Sequence, residues 1–300
     1  MFTGMPEGGA TSAGKRARAG LAGTRFADVR WVAETGSTNS DALALARDGA
    51  AEGIVVVADH QTAGRGRRAR TWVAPRDGSL LLSLLLRPPA GVAGATTMAV
   101  AVALAEAVEA VAGVTAGLKW PNDLVVAPAP GTRGDDRKLA GILAEADWPA
   151  GTTISGGYRA PRPWERAVVV VGVGINVTWP APGALGPEVA DVAATAAALN
   201  WVGPAVDRVD LLVAFLRRLD DRYGALVGEG AGGAAAVVAE WRRRSATLGR
   251  RVRVDLGADD VEGTAVDVTA EGHLVVETDG GERRTLAVGD VVHLRPAGGG

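Results

Sequence analysis

The pattern of apolar residues changes at Gly249, and this change restricts the folds that the 300-residue chain can adopt. Upstream, "GIVVVAD" at 53–59 and "SLLLSLLLRP" at 79–88 are continuous apolar runs, which is typical of buried strands. The segments at 40–50, 95–113, 206–226 and 232–246 are predicted helices. Downstream, segments such as "RVRVDL" alternate apolar and polar residues between turns. Because several predicted strands follow one another without an intervening helix, we expect an α+β fold, with a mixed sheet flanked by helices and a small C-terminal β domain.

The expected domain boundaries follow from local composition. Residues 1–23 are small, polar and glycine-rich, so we predict a disordered tail there. The main domain is placed at 24–247 and the β domain at 248–296. The chain has no cysteine, which excludes disulfides, zinc–thiolate centres and cysteine nucleophiles.

Charge and hydropathy bear on the partners and the location of the protein. The 32 basic and 34 acidic residues give a net charge of -2, so no global field favours nucleic acid or a membrane surface. The N-terminus lacks the apolar core of a signal peptide, and the longest apolar runs are either short or contain Glu106 and Glu109. We therefore expect a soluble, cytoplasmic protein that binds neither membrane nor nucleic acid.

One loop, "ADHQTAGRGRRARTW" at 58–72, concentrates positive charge. Its clustered arginines are Arg65, Arg67, Arg68 and Arg70. Guanidinium groups pair with carboxylates and phosphates, and glycines keep a loop mobile, so we predict that this loop closes on an anion that relieves the mutual repulsion of the arginines. Trp72 would then cover the ligand. A solvated basic turn is the alternative. "GRGRRA" matches a dinucleotide-binding fingerprint only formally, because no helix is predicted to begin there.

Two further motifs place charged groups beside predicted strands. "LKWPNDLVV" puts Lys119, Asn122 and Asp123 around a proline-fixed bend, although an edge strand with an ordinary turn would look the same. "RKLAGIL" puts Lys138 where an apolar strand begins, and its side chain either reaches a cleft or extends to solvent. The three histidines lack the spacing of a metal cage, and the G-x-S-x-G and P-loop motifs are absent.

Taken in order, five motifs resemble those of biotin protein ligases, the biotin–[acetyl-CoA carboxylase] ligases. They are "GSTNSDA", "QTAGRGRRARTW", "KWPND", "RKLAGIL" and "GVGINV". The resemblance covers roughly residues 30–295 and implies a catalytic domain related to lipoate ligases and class II synthetases, joined to an SH3-like C-terminal domain. It implies the monofunctional type, without the N-terminal DNA-binding domain of the repressor members.

The resemblance also implies roles for individual positions. For catalysis these are Lys138, Arg67 and Asp123. For biotin binding they are Ser37, Thr38, Asn39, Gln61, Arg65, Gly66, Arg67 and Lys138. For ATP or the adenylate they are Arg67, Arg68, Trp72, Lys119, Asn122, Gly141, Asn176 and Arg295. No protein metal cage is implied, because Mg²⁺ would arrive with ATP. Ala69 stands where many members of the family have glycine.

The implied chemistry uses biotin and MgATP to form biotinyl-5′-AMP, and then transfers biotin to a lysine of a biotin carboxyl carrier domain. A monomer or weak homodimer is expected. Three alternatives remain open at this point: a lipoate or octanoate ligase or transferase, a non-catalytic biotin sensor, and a nucleic-acid binder that uses the basic loop and the segment at 241–253. The near-neutral charge and the lack of a recognition helix speak against the last.

Overall fold

The computed structural model describes residues 11–128, 134–147, 153–154, 157–158, 161–186, 189, 192–257, 260–287 and 289–293. The helices in these ranges are α1 (Ser12–Gly20), α2 (Thr38–Arg47), α3 (Ala93–Ala112), α4 (Leu199–Val202), α5 (Arg208–Glu229) and α6 (Ala231–Arg243). The strands of the main domain are β1 (Val29–Thr35), β2 (Val55–Gln61), β3 (Ser79–Leu86), β4 (Gly117–Lys119), β5 (Asp123–Val126), β6 (Arg137–Asp147), the short β7 (Thr153–Ile154) and β8 (Gly157–Tyr158), and β9 (Val168–Asn176). Beyond them lie β10 (Arg251–Asp255), β11 (Asp260–Val268), β12 (Leu274–Glu277), β13 (Arg283–Leu286) and β14 (Asp290–His293).

The main sheet has the strand order β1-β2-β3-β9-β6-β5-β4. Only the β1–β2 pair is parallel among these neighbours, so the sheet is mixed. The C-terminal strands form an antiparallel sheet of order β13-β12-β11-β10-β14. The predicted fold class, an α+β mixed sheet flanked by helices with a separate C-terminal β domain, is confirmed.

The two faces of the main sheet are covered differently. Helices α3, α5 and α6 pack together on one face and build the large core with the sheet. Helix α3 is long and apolar enough to cross a membrane, but 72% of its most apolar window is buried inside the protein, as in a core helix. On the other face, α2 packs over Val56, Leu85 and Val170. Continuing along β9 from Val170, Gly172 and Gly174 lie on this same face of the sheet, because side chains alternate between the faces. The functional cavity forms over these two glycines, beyond the part of the face that α2 covers.

The prediction of a disordered tail over residues 1–23 is wrong for residues 12–20, which form α1. Thr11 caps this helix by accepting a hydrogen bond from the Gly14 amide (3.0 Å). Ala17 and the following Leu21 are fully buried, and Arg18 donates to the Val29 carbonyl at 2.7 Å. A few small buried side chains therefore anchor a segment whose composition resembles that of a tail. Residues 1–10 lie outside the described residues.

The segment "GLKWPNDLVV" forms two strands, one on each side of the predicted proline-fixed bend. β4 and β5 pair antiparallel, and the cis Trp120–Pro121 peptide bond lies in the turn between them. The turn brings Lys119 and Asp123 into register across the hairpin. The motif is thus a hairpin whose turn lies beside the functional cavity, on the face of the sheet that also carries α2.

Candidate active site

A cavity of about 320 Å³ lies between the basic loop, the β4–β5 turn, the glycines of β6 and β9, and the first residues of β14. This volume is within the range of small-molecule sites. Residues 61–73, which cover it, are called the flap below. Strands supply the floor of the cavity, and the flap supplies its cover.

The S-T-N turn forms one end of the cavity. Ser37 precedes α2 without capping it through its side chain, whereas Thr38 and Asn39 begin the helix and are buried. The Gln61 Oε1 atom accepts hydrogen bonds from the Thr38 amide (2.8 Å) and hydroxyl (3.1 Å). A Cβ atom on Gly172 would lie 2.2 Å from Asn39 Oδ1, so only glycine leaves room for this asparagine.

Two glycines and Trp72 form the middle of the cavity. Gly141 of β6 and Gly174 of β9 are paired across the sheet, and the Trp72 ring lies against both. A Cβ on Gly174 would come within 2.6 Å of Trp72 Cε2, and one on Gly141 within 2.8 Å of Cζ3. The indole therefore needs both glycines. Its Nε1 lies 2.9 Å from the position of a Gly174 Cβ and is buried without a hydrogen-bond partner in the described part of the chain.

A β-bulge directs Lys138 into the site. Leu124 pairs with Ala140 and Val125 with Lys138, so Leu139 is an extra residue on β6. Regular alternation would put Lys138 and Gly141 on opposite faces of the sheet, yet Lys138 Nζ lies 3.1 Å from the position of a Gly141 Cβ. The bulge therefore moves the ammonium group to the cavity face.

The Lys138 ammonium has two neighbours there. Its Nζ lies 2.7 Å from Asp123 Oδ1, an ion pair by distance that lacks hydrogen-bond geometry, and 5.5 Å from the Trp72 ring centroid. Asp123 is thus a partly exposed carboxylate whose buried Oδ1 has no hydrogen-bond partner in the described residues, and it lies beside a lysine. The pair can hold an anionic group at Lys138 and an incoming amine at Asp123.

The flap arginines have carboxylate partners within the protein, contrary to the expectation that only a bound anion offsets their repulsion. Arg65 pairs with Glu145 at 2.7 Å, and Arg70 pairs with Asp290 at 2.8 Å. Arg67 donates to the Gly289 carbonyl (3.2 Å) and lies 3.4 Å from Asp290. Burial lowers the pKa of the Arg67 guanidinium, the neighbouring arginines act in the same direction, and Asp290 opposes them. Arg67 keeps its charge, since even a lowered arginine pKa stays far above neutrality.

Contacts also run from the C-terminal domain to the β4–β5 turn. The Thr247 hydroxyl oxygen accepts a hydrogen bond from the Trp120 amide (3.0 Å) and lies 3.3 Å from His293 Nε2. Burial lowers the pKa of His293 to about 4, and Lys119 and Arg250 act in the same direction. The imidazole is therefore neutral at pH 7. The small domain thus contacts both the flap and the turn that carries Asp123.

The structure brings most of the predicted site residues to this cavity. Those that line it are Ser37, Thr38, Asn39, Gln61, Arg65, Gly66, Arg67, Trp72, Lys119, Asn122, Asp123, Lys138, Gly141 and Asn176. Arg68 does not line it: Arg68 and Ala69 have positive φ, and the Arg68 side chain reaches the Asp255 carbonyl at 2.9 Å instead. Arg295 lies outside the described residues.

Other residues at the site carried no signal in the sequence. Asp290 lines the cavity and Glu145 binds a flap arginine, yet both are single acidic residues in strand patterns. Gly172 and Gly174 belong to the quoted "GVGINV", but their contacts with Asn39 and Trp72 depend on the fold. In the described residues, no group of three or more His, Asp and Glu side chains is arranged to hold a metal ion.

Comparisons with known proteins agree with this geometry. Residues 33–152 match the Biotin/lipoate A/B protein ligase family, and residues 247–294 match the biotin protein ligase C terminal domain. A biotin–[acetyl-CoA-carboxylase] ligase of Mycobacterium tuberculosis is 38% identical over 282 residues, which cover 91% of this chain and 92% of the relative. The chain belongs to the biotin protein ligase family.

Further members of the biotin protein ligase family extend the comparison. A ligase of the same name from Paracoccus denitrificans is 30% identical and covers 84% of this chain and 95% of the relative. The bifunctional ligase/repressor BirA of Bacillus subtilis is 30% identical over 83% of this chain and 69% of the relative. The solved structure of an Aquifex aeolicus biotin protein ligase in complex with biotin and ATP superposes with a TM-score of 0.68 at 24% identity, over 90% of this chain and all of that one, which supports the fold.

Proposed function

We propose that this biotin protein ligase uses MgATP to activate biotin and then transfers it to one lysine of a biotin carboxyl carrier domain of an acyl-CoA carboxylase. The observation that carries the proposal is the bulge-directed Lys138 beside Asp123, in a cavity whose S-T-N end and arginine flap face each other. We place the protein in the cytoplasm, where carboxylase and MgATP would meet it. We propose that it acts as a monomer or weak homodimer and does not bind DNA.

The first step joins two anions. The biotin carboxylate oxygen attacks the α-phosphorus of ATP, the bond to the β-phosphate oxygen breaks, and biotinyl-5′-AMP and pyrophosphate form. Arg67 and Lys138 reduce the repulsion between carboxylate and phosphate and stabilise the charge on the transferring group. Mg²⁺ enters as part of the MgATP substrate.

Water must be kept from the mixed anhydride after it forms. The flap lies over the cavity, and the Trp72 indole fills the space above Gly141 and Gly174. In this position the flap holds the two substrates close together and shields the product. The flap must open again before pyrophosphate leaves and the carrier lysine enters.

The second step needs an uncharged amine. The carrier lysine attacks the acyl carbon of biotinyl-5′-AMP, an amide forms, and AMP leaves. The amine loses one proton in this step, and Asp123 can orient it and accept that proton. Lys138 Nζ lies 2.7 Å from Asp123 Oδ1, so the lysine fixes the position of the carboxylate that meets the amine.

Substrate titration tests the proposal. Calorimetry should show heat with biotin and none with lipoate, and pyrophosphate release should require biotin, MgATP and protein together. Heat with lipoate and none with biotin would instead identify a lipoate ligase. Biotin binding without pyrophosphate release would identify a non-catalytic sensor.

A further inference from the structure

Glu145 links the flap to the buried S-T-N turn although it does not line the cavity. Its Oε2 atom accepts one hydrogen bond from Asn39 Nδ2 (2.8 Å) and one from Arg65 Nη2 (2.7 Å). Glu145 lies on the same face of β6 as Gly141 and Leu143, four residues beyond the glycine under Trp72. One carboxylate oxygen therefore joins the flap to the S-T-N turn.

Asn39 is the fixed partner. Its Oδ1 accepts from the Ser83 hydroxyl at 2.6 Å, its side chain fits over Gly172, and the residue is 4% exposed. Rotating the amide would break these bonds inside the protein, where unpaired polar groups are costly. Asn39 thus gives Glu145 a set position.

Arg65 is the partner that belongs to the flap. It is joined to Thr71 by a bridge across the flap, and its side chain is 42% exposed. Arg67 and Arg70 contact Asp290 of the C-terminal domain, so only Arg65 ties the flap to the S-T-N end among the described flap arginines. An isolated pair with this exposure contributes little to stability, so we look for its role in the position of the flap.

We infer that Glu145 is a positioning residue that docks the closed flap, through Arg65, on the buried Asn39. The inference rests on the proposed function. It assigns the Arg65 guanidinium to the protein rather than to the substrate, and leaves Arg67 to face the anionic substrate. Loss of the carboxylate should let the flap open more often and release biotinyl-5′-AMP sooner, while chemistry under saturating substrate changes little.

The test measures release of preformed biotinyl-5′-AMP and trypsin cleavage after the flap arginines. Glu145→Gln keeps the size of the side chain and removes the charge, and should raise both rates about three- to tenfold, the size expected for one partly exposed charge-assisted contact. Pyrophosphate release at saturating biotin should stay within about twofold of wild type, because Glu145 touches no reacting atom. The matched control is Glu34→Gln, which removes the carboxylate of the exposed Arg76–Glu34 pair outside the cavity and should change neither rate.

Arg65→Gln removes the other partner of the same ion pair, and it changes the flap instead of the sheet that carries Glu145. It should raise both rates to a similar extent, and the double variant should be no faster than either single variant, because both remove one contact. Wild-type rates in Glu145→Gln, or additive effects in the double variant, would overturn the inference. If wild-type protein forms no adenylate from biotin and MgATP, the proposed function fails first and this inference fails with it.

Discussion

Replacing Lys138 by alanine should separate catalysis from folding. The side chain places its ammonium 2.7 Å from Asp123 Oδ1 and 3.1 Å from the position of a Gly141 Cβ, inside the cavity. Removing one preorganised charge donor from such a site costs about 10²–10³ in rate. We therefore expect adenylate formation to fall by about two to three orders of magnitude in Lys138→Ala.

Stability should change far less. The Lys138 and Asp123 side chains are 37% and 24% exposed, so their ion pair contributes about 1 kcal/mol or less. For a protein of this size that corresponds to a fall in Tm of at most about 2 °C. The backbone hydrogen bonds of Lys138 with Thr195 and Ala197 do not involve the lysine side chain.

The assay is pyrophosphate release at saturating biotin and MgATP, with thermal unfolding measured on the same samples. Lys15→Ala, which removes an exposed lysine of α1, is the matched control and should match wild type in both measurements. A Lys138→Ala protein that releases pyrophosphate at more than about a third of the wild-type rate would refute the electrostatic role.

Three other changes test separate parts of the site. Gly174→Ala should weaken biotin binding at least about tenfold by calorimetry, because the new methyl would lie 2.6 Å from Trp72 Cε2 and displace the ring, and unchanged affinity would argue against the indole position. Arg67→Ala should speed hydrolytic loss of the adenylate about tenfold or more in a quench assay, and wild-type retention would argue against the clamp. Burial lowers the pKa of His293 from 6.5 to about 4. Because the unfolded chain therefore binds the proton at higher pH than the folded protein, the free energy of unfolding falls as the pH drops from 6.5 toward 4, by at most about 3 kcal/mol. Urea unfolding at pH 7 and pH 5 should show this loss of stability in wild type and not in His293→Gln. An equal loss in both proteins would mean that groups other than His293 cause it.

The sequence was sufficient to predict the two-part architecture, because hydrophobic periodicity is a local signal. Continuous runs such as Ser79–Leu86 form central strands, and the alternating segments after Gly249 form the C-terminal sheet. Helix α1 was missed because its stability depends on packing rather than composition: Ala17 and Leu21 are the buried anchors in a segment rich in glycine and arginine.

The candidate site was predictable only as a set of motifs. Which atoms meet depends on contacts between residues far apart in the sequence. The bulge at Leu139, which turns Lys138 to the cavity face, has no signature in "RKLAGIL". The carboxylates that pair with the flap arginines, Glu145 and Asp290, lie 80 and 220 residues away from Arg65 and Arg70. Local patterns cannot specify such pairs.

The most direct measurement is the mass of a biotin carboxyl carrier domain after incubation with this protein, biotin and MgATP. We expect the carrier to gain the mass of one biotin, less one water, on a single lysine, and to gain nothing when biotin, MgATP or the protein is left out. The sample must first show a cooperative thermal unfolding transition, which establishes that the protein is folded. An unmodified carrier in the complete mixture would then contradict the proposal that this cavity activates biotin and transfers it.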